Sequence, residues 1–276
     1  LRQALLAREV LHADETPVAM LSPGKGKTHR AYLWAYGTTE YDALQAVVYD
    51  FADGRSGEHA RRFLEGWSGK LVCDDYSGYK ALFANGVTEA GCLAHARRKF
   101  HELWANHKSE VAGEALSFFG ALYDIERIAR ELDVDERQRL RQLKSRPIAD
   151  TLHQWLILQR QRSTDGTAIA KAIDYSLGRW QALTRFVGDG ALPADNNHIE
   201  NRIRPIALGR SNWLFAGSLR GGKRAAAVMS LIQSARLNRH DPYAYLKDVL
   251  ERLPTHPASR IDDLLPHRWT APLADG

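Results

Sequence analysis

Residues 31–37 read AYLWAYG and residues 44–51 read LQAVVYDF. Both are short runs of β-branched and aromatic side chains, the kind that fit a pleated surface. Three similar runs lie at 10–18, 70–74 (KLVCD) and 87–93. Between the third and fourth runs, SGEHARRFLEG (56–66) carries the marks of a helix, with Ser56 as N-cap and Gly66 as stop. A short helix at 79–85 separates the last two strands. Three strands, a helix, a strand, a helix and a strand make a mixed sheet with helical crossovers, so the expected class is α/β.

Further along, strand signal fades from residue 95 to about 190. Leu116, Phe119, Leu122 and Tyr123, then Leu140 and Leu143, then Leu152 and Leu156 recur at helical spacing. Asp133 and Asp165 suit N-caps, and Pro147 is expected to break the pattern into separate helices. The mixed charges of DVDERQRLRQLKSR (133–146) read as a solvated helix face. After Pro193 we expect a helix around 197–208, an irregular NWLFAGS segment, a longer helix at 222–238 and a last one at 243–253. The expected division is 1–94 as the first part of a sheet domain, 95–192 as a helical insertion, 193–253 as the return of the sheet domain, and 254–276 as a C-terminal tail.

With 276 residues, 44% hydrophobic and 26% charged, the chain has the composition of an ordinary globular protein of one large domain or two modest ones. No run approaches the roughly 18 apolar residues of a membrane span. Residues 1–9 are charged and amphipathic, unlike a secretion signal, and Leu1 in place of Met is what a fragment of a longer chain would show. Two cysteines, Cys73 and Cys92, are too few for a disulfide framework or a four-thiolate zinc site, so a reducing cytosol is the expected setting. The net charge of +5 is a mild excess, but its distribution is uneven. Residues 196–239 hold eight basic side chains (Arg202, Arg204, Arg210, Arg220, Lys223, Arg224, Arg236, Arg239) against one acid, Glu200.

Three acidic positions stand out. In HADETP (12–17), Asp14 and Glu15 are neighbours on an expected strand, so they face opposite sides of the sheet and only one can join a given site. The same reasoning covers Asp74 and Asp75 in VCDDYSGY (72–79). Taken alone, a carboxylate at a strand end is more often a solvated turn residue. Glu200, in DNNHIENRIRP (195–205), has an equally plain reading: with Asn197 as N-cap it would complete a capping box.

These segments resemble, in order, the motifs of the DDE DNA transposases of the insertion-sequence-sixty-six family. HADETP surrounds Asp14, DDYSGY contains Asp74, and DNN-x-x-E-x-x-x-RP-x-A-x-GR-x-NWLFAGS surrounds Glu200. GCLAHARRKF (91–100), with its C-x-x-H pair Cys92 and His95, is similar too, as are the closing DPYAYLKDVLERLP and DDLLPHRW. The likeness runs from residue 11 to 269. It departs at Asp75, where the family pattern has a small residue such as Gly; Asp74 is the position that aligns.

The resemblance implies a ribonuclease-H-like mixed sheet with a large all-helical insertion before the third catalytic acid. It implies that Asp14, Asp74 and Glu200 are catalytic and hold two Mg²⁺ ions (Mn²⁺ in their place at need) roughly 3.5–4 Å apart, with Asp14 bridging. The implied reaction is hydrolysis of the phosphodiester bond at a transposon end, then strand transfer of the freed 3′-hydroxyl into target DNA, both in-line displacements. Arg202, Arg204, Arg210, Arg220, Lys223 and Arg224 would follow the phosphates of double-stranded DNA. Trp213 would stack on DNA or belong to the core, and Cys92, His95 and Asn197 would support the site. A metal at Cys92 and His95 is disfavoured, since no second pair of suitable spacing exists. The implied working form is a homo-oligomer on DNA, with or without accessory proteins, in the bacterial cytoplasm near the nucleoid and with no membrane. Two rivals need the same acids or the same basic segment: a nuclease of this fold without strand transfer, and an inactive domesticated DNA-binding protein.

Overall fold

The computed structural model describes residues 1–271. Its five strands are β1 (Val10–Leu21), β2 (Thr28–Thr38), β3 (Val47–Ala52), β4 (Lys70–Cys73) and β5 (Thr88–Gly91), which form a mixed sheet in the order β3-β2-β1-β4-β5. All five expected strands are present, which bears out the α/β class. The described chain divides into two compact units.

The first unit contains Leu1–Gly69, Tyr76–Val87 and the described residues from His198 onward. Here α1 (Arg2–Leu6) leads into an antiparallel meander of β1, β2 and β3. Directly opposed residues in such a ladder share a face. The row Asp14, Ala35, Tyr49 therefore points one way and the row Glu15, Trp34, Asp50 the other. On the first face Val18, Ala31, Leu33, Ala35, Val47, Tyr49 and Phe51 pack against Ile199, Ile203 and Ile206 of α10 (Asn197–Trp213) and Ala226 of α11 (Leu219–Leu237). Gly222 lies so close to the Phe51 ring that any Cβ would collide with it. Ser230 and Ser234 of α11 accept the Tyr49 and Val47 N–H groups at 2.8 and 3.0 Å, which covers the otherwise open edge of β3.

The opposite face is covered by α2 (Gly57–Phe63), a 3₁₀ turn at Ser77–Tyr79 and α3 (Lys80–Phe83). Ser56 caps α2 as expected, and Gly66 after it has a φ of 79°. The Tyr36 and Phe63 rings stack at 3.8 Å, and Trp34 meets Tyr79 edge-on. After α11, α12 (Pro242–Arg252) packs Tyr245 and Val249 with Leu264 and Trp269 of the segment that follows. Of the expected tail, 254–276, only the part up to Ala271 lies within the described residues.

The second unit is Lys70–Asp75 with Thr88–Asn197. Parallel β4 and β5 are accompanied by α4 (Leu93–His107), α5 (Glu110–Ala129), α6 (Val134–Leu140), α7 (Arg146–Arg162), α8 (Ala168–Gly178) and α9 (Trp180–Thr184). Three expectations are corrected here. Residues 133–146 are not simply a solvated face, because Arg137 and Arg141 are buried. Arg141 meets Glu126 with two bonds, Nε to Oε1 at 2.8 Å and Nη2 to Oε2 at 2.5 Å, and donates Nη1 to the carbonyls of Phe186, Asp189 and Leu192. A guanidinium with this many partners recovers its lost hydration. Nor does Pro147 break the helix: a π-turn at Arg141–Ser145 leads into α7, and Pro147 sits in the first turn, where it is tolerated. Asp165 is not the N-cap expected of it: it pairs with Arg160 at 2.6 Å, and Thr167 caps α8.

A further correction concerns α10. It was expected to end near residue 208, but it carries Pro205 internally and runs to Trp213, taking in the start of NWLFAGS. Leu214 then turns the chain with a φ of 62°.

Candidate active site

The pleat of β1 separates its two adjacent acids. Asp14 lies in the row that faces α10, half-buried, with Oδ1 accepting the Glu15 N–H at 2.8 Å. Glu15 faces away, its side chain 1% exposed. Arg55 donates Nε and Nη2 to Glu15 Oε1 at 2.8 and 2.5 Å, and the Tyr79 hydroxyl donates to Oε2 at 2.8 Å. Arg55 in turn lies over the Tyr76 ring at 4.1 Å, and its carbonyl accepts the Tyr76 hydroxyl. Glu15 is thereby committed to structure.

The second pair is resolved differently. β4 ends at Cys73, so Asp74 and Asp75 lie just past the strand and not on it as expected. Asp74 is half-buried and Asp75 exposed. Asp75 forms an ion pair with Arg179, which also holds Glu89 at 2.6 Å. Tyr175 is nearby; its hydroxyl is pushed up to about 12 by burial, against the pull of Arg179, with Asp75 and Asp74 adding to the rise.

Glu200 does not occupy a capping-box position. α10 starts at Asn197, which makes Asn196 the cap position and Glu200 the fourth residue, one beyond where a capping box places its acid. The exposed amide N–H of Asn197 is instead taken by Asp195 Oδ1 at 2.9 Å, and the Asn197 side chain donates to Oδ2 at 2.9 Å. Cys92 is a buried core residue whose Sγ accepts the Asn196 N–H at 3.2 Å, and His95 is half-buried on α4.

Of the expected phosphate-binding residues, Arg204, Arg220, Lys223 and Arg224 are exposed. Arg220, Lys223 and Arg224 share one face of α11 through i, i+3 and i+4 spacing. Arg202 is half-buried, and its carbonyl accepts the Tyr49 hydroxyl at 2.7 Å. Arg210 is half-buried, and its Nη1 donates to Thr16 Oγ1 at 3.2 Å and to the Pro17 carbonyl at 2.6 Å, bracing the last turn of α10 on β1. Trp213 is 43% exposed, which leaves it available for stacking.

One cluster was not read from the sequence. His12, fully buried on β1, brings Nε2 to 3.6 Å from Glu40 Oε2, and His198 of α10 brings Nδ1 to 3.9 Å from the same oxygen. The two imidazoles stack at 5.6 Å. Burial would raise the Glu40 carboxyl, but the bond and charge of His12, its own backbone and the charge of His198 hold it down at about 2. Burial, then the charge of His12, lowers His198 to about 4, with Glu40 opposing. The only hint in the sequence was the spacing: each histidine stands two residues before a candidate acid.

Comparison with known proteins bears on this arrangement. The model of the Transposase IS66 family matches residues 1–224, and that of the IS66 C-terminal element matches residues 230–267. The chain belongs to the IS66 transposase family. Similar curated proteins include three uncharacterized proteins of Sinorhizobium fredii (strain NBRC 101917 / NGR234). Of these, y4hP is 38% identical over 286 residues, covering 96% of this chain and 51% of its own length. The figures for y4jD are 37% over 272 residues, 94% and 53%. Those for y4qI are 38% over 271 residues, 94% and 50%. This IS66-family chain thus spans about half the length of the curated relatives it matches. Among its described residues no helix is long and apolar enough to cross a membrane.

Proposed function

We propose that this chain is the catalytic part of a DDE transposase with a ribonuclease-H-like core, and that Asp14, Asp74 and Glu200 are its catalytic acids. The observation that carries the reading is the division of labour on β1. Glu15 is consumed by Arg55 and Tyr79, while Asp14 faces the helix whose first turn carries Glu200.

Three carboxylates make a hard, oxygen-only donor set of the kind Mg²⁺ prefers, so their chemistry suits such ions. The ions, when bound, supply the charge that activates a water or 3′-hydroxyl and stabilises the leaving oxygen. The protein's own part is to hold Asp14 on β1, Asp74 just past β4 and Glu200 on α10, and to align the DNA strand. Arg204, Arg220, Lys223 and Arg224 would fix that strand through its phosphates, which positions DNA without reading its sequence. The substrate is double-stranded DNA at the transposon ends, followed by target DNA; a homo-oligomer in the bacterial cytoplasm is the proposed working form.

The test uses labelled DNA carrying the element's own ends. Glu200→Gln should abolish cleavage and strand transfer in Mg²⁺ while melting stays near wild type and DNA binding persists, because the amide keeps the shape and loses the charge. Near-wild-type cleavage by this variant would overturn the assignment.

A further inference from the structure

We propose that α4 is a DNA-contacting helix, whose exposed face of Arg97, His101 and Lys108 holds backbone phosphates of the duplex flanking the bond to be cut. The proposal rests on the reading of this chain as a DNA transposase with Asp74 among its acids.

Charge in the second unit is unevenly placed. Residues 93–108 carry four basic side chains, Arg97, Arg98, Lys99 and Lys108, against one acid, Glu102. The helix that packs on them, α5, has the opposite balance, with four acids against Arg127. One face of α4 is spent on packing, since Leu93, Ala96 and Phe100 are buried. Arg97, His101, Trp104 and Lys108 follow one another at i, i+4, i+7 and i+11, which keeps them within about 60° around the helix axis. All four are exposed. Glu102 lies about 100° further round than His101, off this face. From Arg97 to Lys108 the stripe is about 16 Å long, the length of about five base pairs.

The charges on the stripe are uncommitted. Neither Arg97 nor Lys108 forms an ion pair among the described residues. Lys108 Nζ lies over the Trp104 ring at 4.9 Å, which orients the ammonium without neutralising it. The His101 ring sits 6.2 Å from the same indole and adds an N–H donor. The acids of α5 are engaged elsewhere. Glu114 accepts Trp155 Nε1 at 3.0 Å, Asp124 pairs with Arg127 at 2.5 Å, and Glu126 is held by Arg141. Glu110 begins the helix, where its free N–H groups favour an acid. Asp195 is taken by the Tyr123 hydroxyl and by Asn197. A file of uncompensated cations at regular pitch complements an evenly charged polyanion. Its place in the fold says which part of the DNA it meets. Gly91 of β5 pairs with Cys73 of β4, so α4 begins at the same end of these strands where Asp74 follows β4. The stripe starts in the second turn of α4 and runs away from Asp74, along DNA beside the scissile bond.

The test compares two double variants of the whole chain that lose the same charge. One joins Arg97→Gln to Lys108→Gln. The other joins Arg139→Gln to Lys144→Gln, at exposed positions of the second unit outside α4. Gln keeps most of the side-chain stem, and a melting curve establishes that each variant is folded. Affinity is measured for labelled duplex carrying the element's own ends and for duplex of unrelated sequence, from about 50 to 200 mM salt. Each phosphate contact adds about 0.9 to the slope of log affinity against log salt, so the α4 pair should lower that slope by about two. At about 100 mM salt it should weaken binding about 10- to 100-fold, equally on both DNAs, since phosphate contacts carry no base information. The control pair should leave the slope unchanged. An unchanged slope in the α4 pair, an equal fall in the control pair, or a loss confined to one of the two DNAs overturns the surface, while wild-type binding leaves the reading of the chain standing. A wild-type chain that binds neither duplex overturns both.

Discussion

Two pairs of adjacent acids, Asp14–Glu15 and Asp74–Asp75, look alike in the sequence and are sorted by different physics. On β1 the pleat alone does the sorting, and the partners follow: Glu15 meets Arg55 and Tyr79 on one face, and Asp14 joins the α10 side. Past the end of β4 no pleat acts, and it is Arg179, reaching both Asp75 and Glu89, that separates Asp75 from Asp74. In each pair one acid is committed to an arginine. The difference is that the first outcome follows from strand periodicity, whereas the second depends on a residue 104 positions further along the chain, at the end of α8.

If these arginine pairs are structural, they should rank by burial. The reference is Arg141–Glu126, wholly inside the second unit. Arg141→Met should cost about 3–5 kcal/mol, because it leaves Glu126 buried without its partner, and the double change with Glu126→Leu should recover much of it. Urea melts of the single and double variants measure both, and a loss under about 1 kcal/mol would show that the pair is not a core element. Glu15→Gln should come next, at about 1–2 kcal/mol, since a buried acceptor of charged hydrogen bonds becomes neutral. Asp75→Asn should be smallest, within about 1 kcal/mol, because Asp75 is half in solvent and Arg179 keeps Glu89. A reversal, with Asp75→Asn costing more than Glu15→Gln in the same melts, would break the ranking.

The sheet was legible because its strands hold runs of β-branched and aromatic residues; all five were expected within a few residues of where they lie. Helix ends were less so. Pro205 and Pro147 are strong local punctuation, yet α10 continues through the first, and a π-turn carries the chain into α7 past the second. The buried Arg137 and Arg141 were missed because charge in a helix normally means solvent, and their partners are distant in sequence: Glu126 on α5 and the carbonyls of Gly190 and Leu192. Glu40 was missed for the same reason: nothing local marks it, and only the fold brings His12 and His198 to one of its oxygens. The bracing role of Arg210 is likewise a tertiary fact, since the partners of its Nη1 are on β1.

The most direct test is single-turnover cleavage of labelled transposon-end DNA in Mg²⁺ by four variants assayed side by side: Asp14→Asn, Glu15→Gln, Asp74→Asn and Asp75→Asn. Each is assayed at a temperature where its melting curve shows it folded. Asp14→Asn and Asp74→Asn should lose about a thousandfold or more, the scale of removing one electrostatic group from a reacting centre. Glu15→Gln and Asp75→Asn should stay within a few-fold of wild type. A collapse of cleavage in Glu15→Gln or Asp75→Asn, with Asp14→Asn or Asp74→Asn still active, would contradict the division of the two pairs.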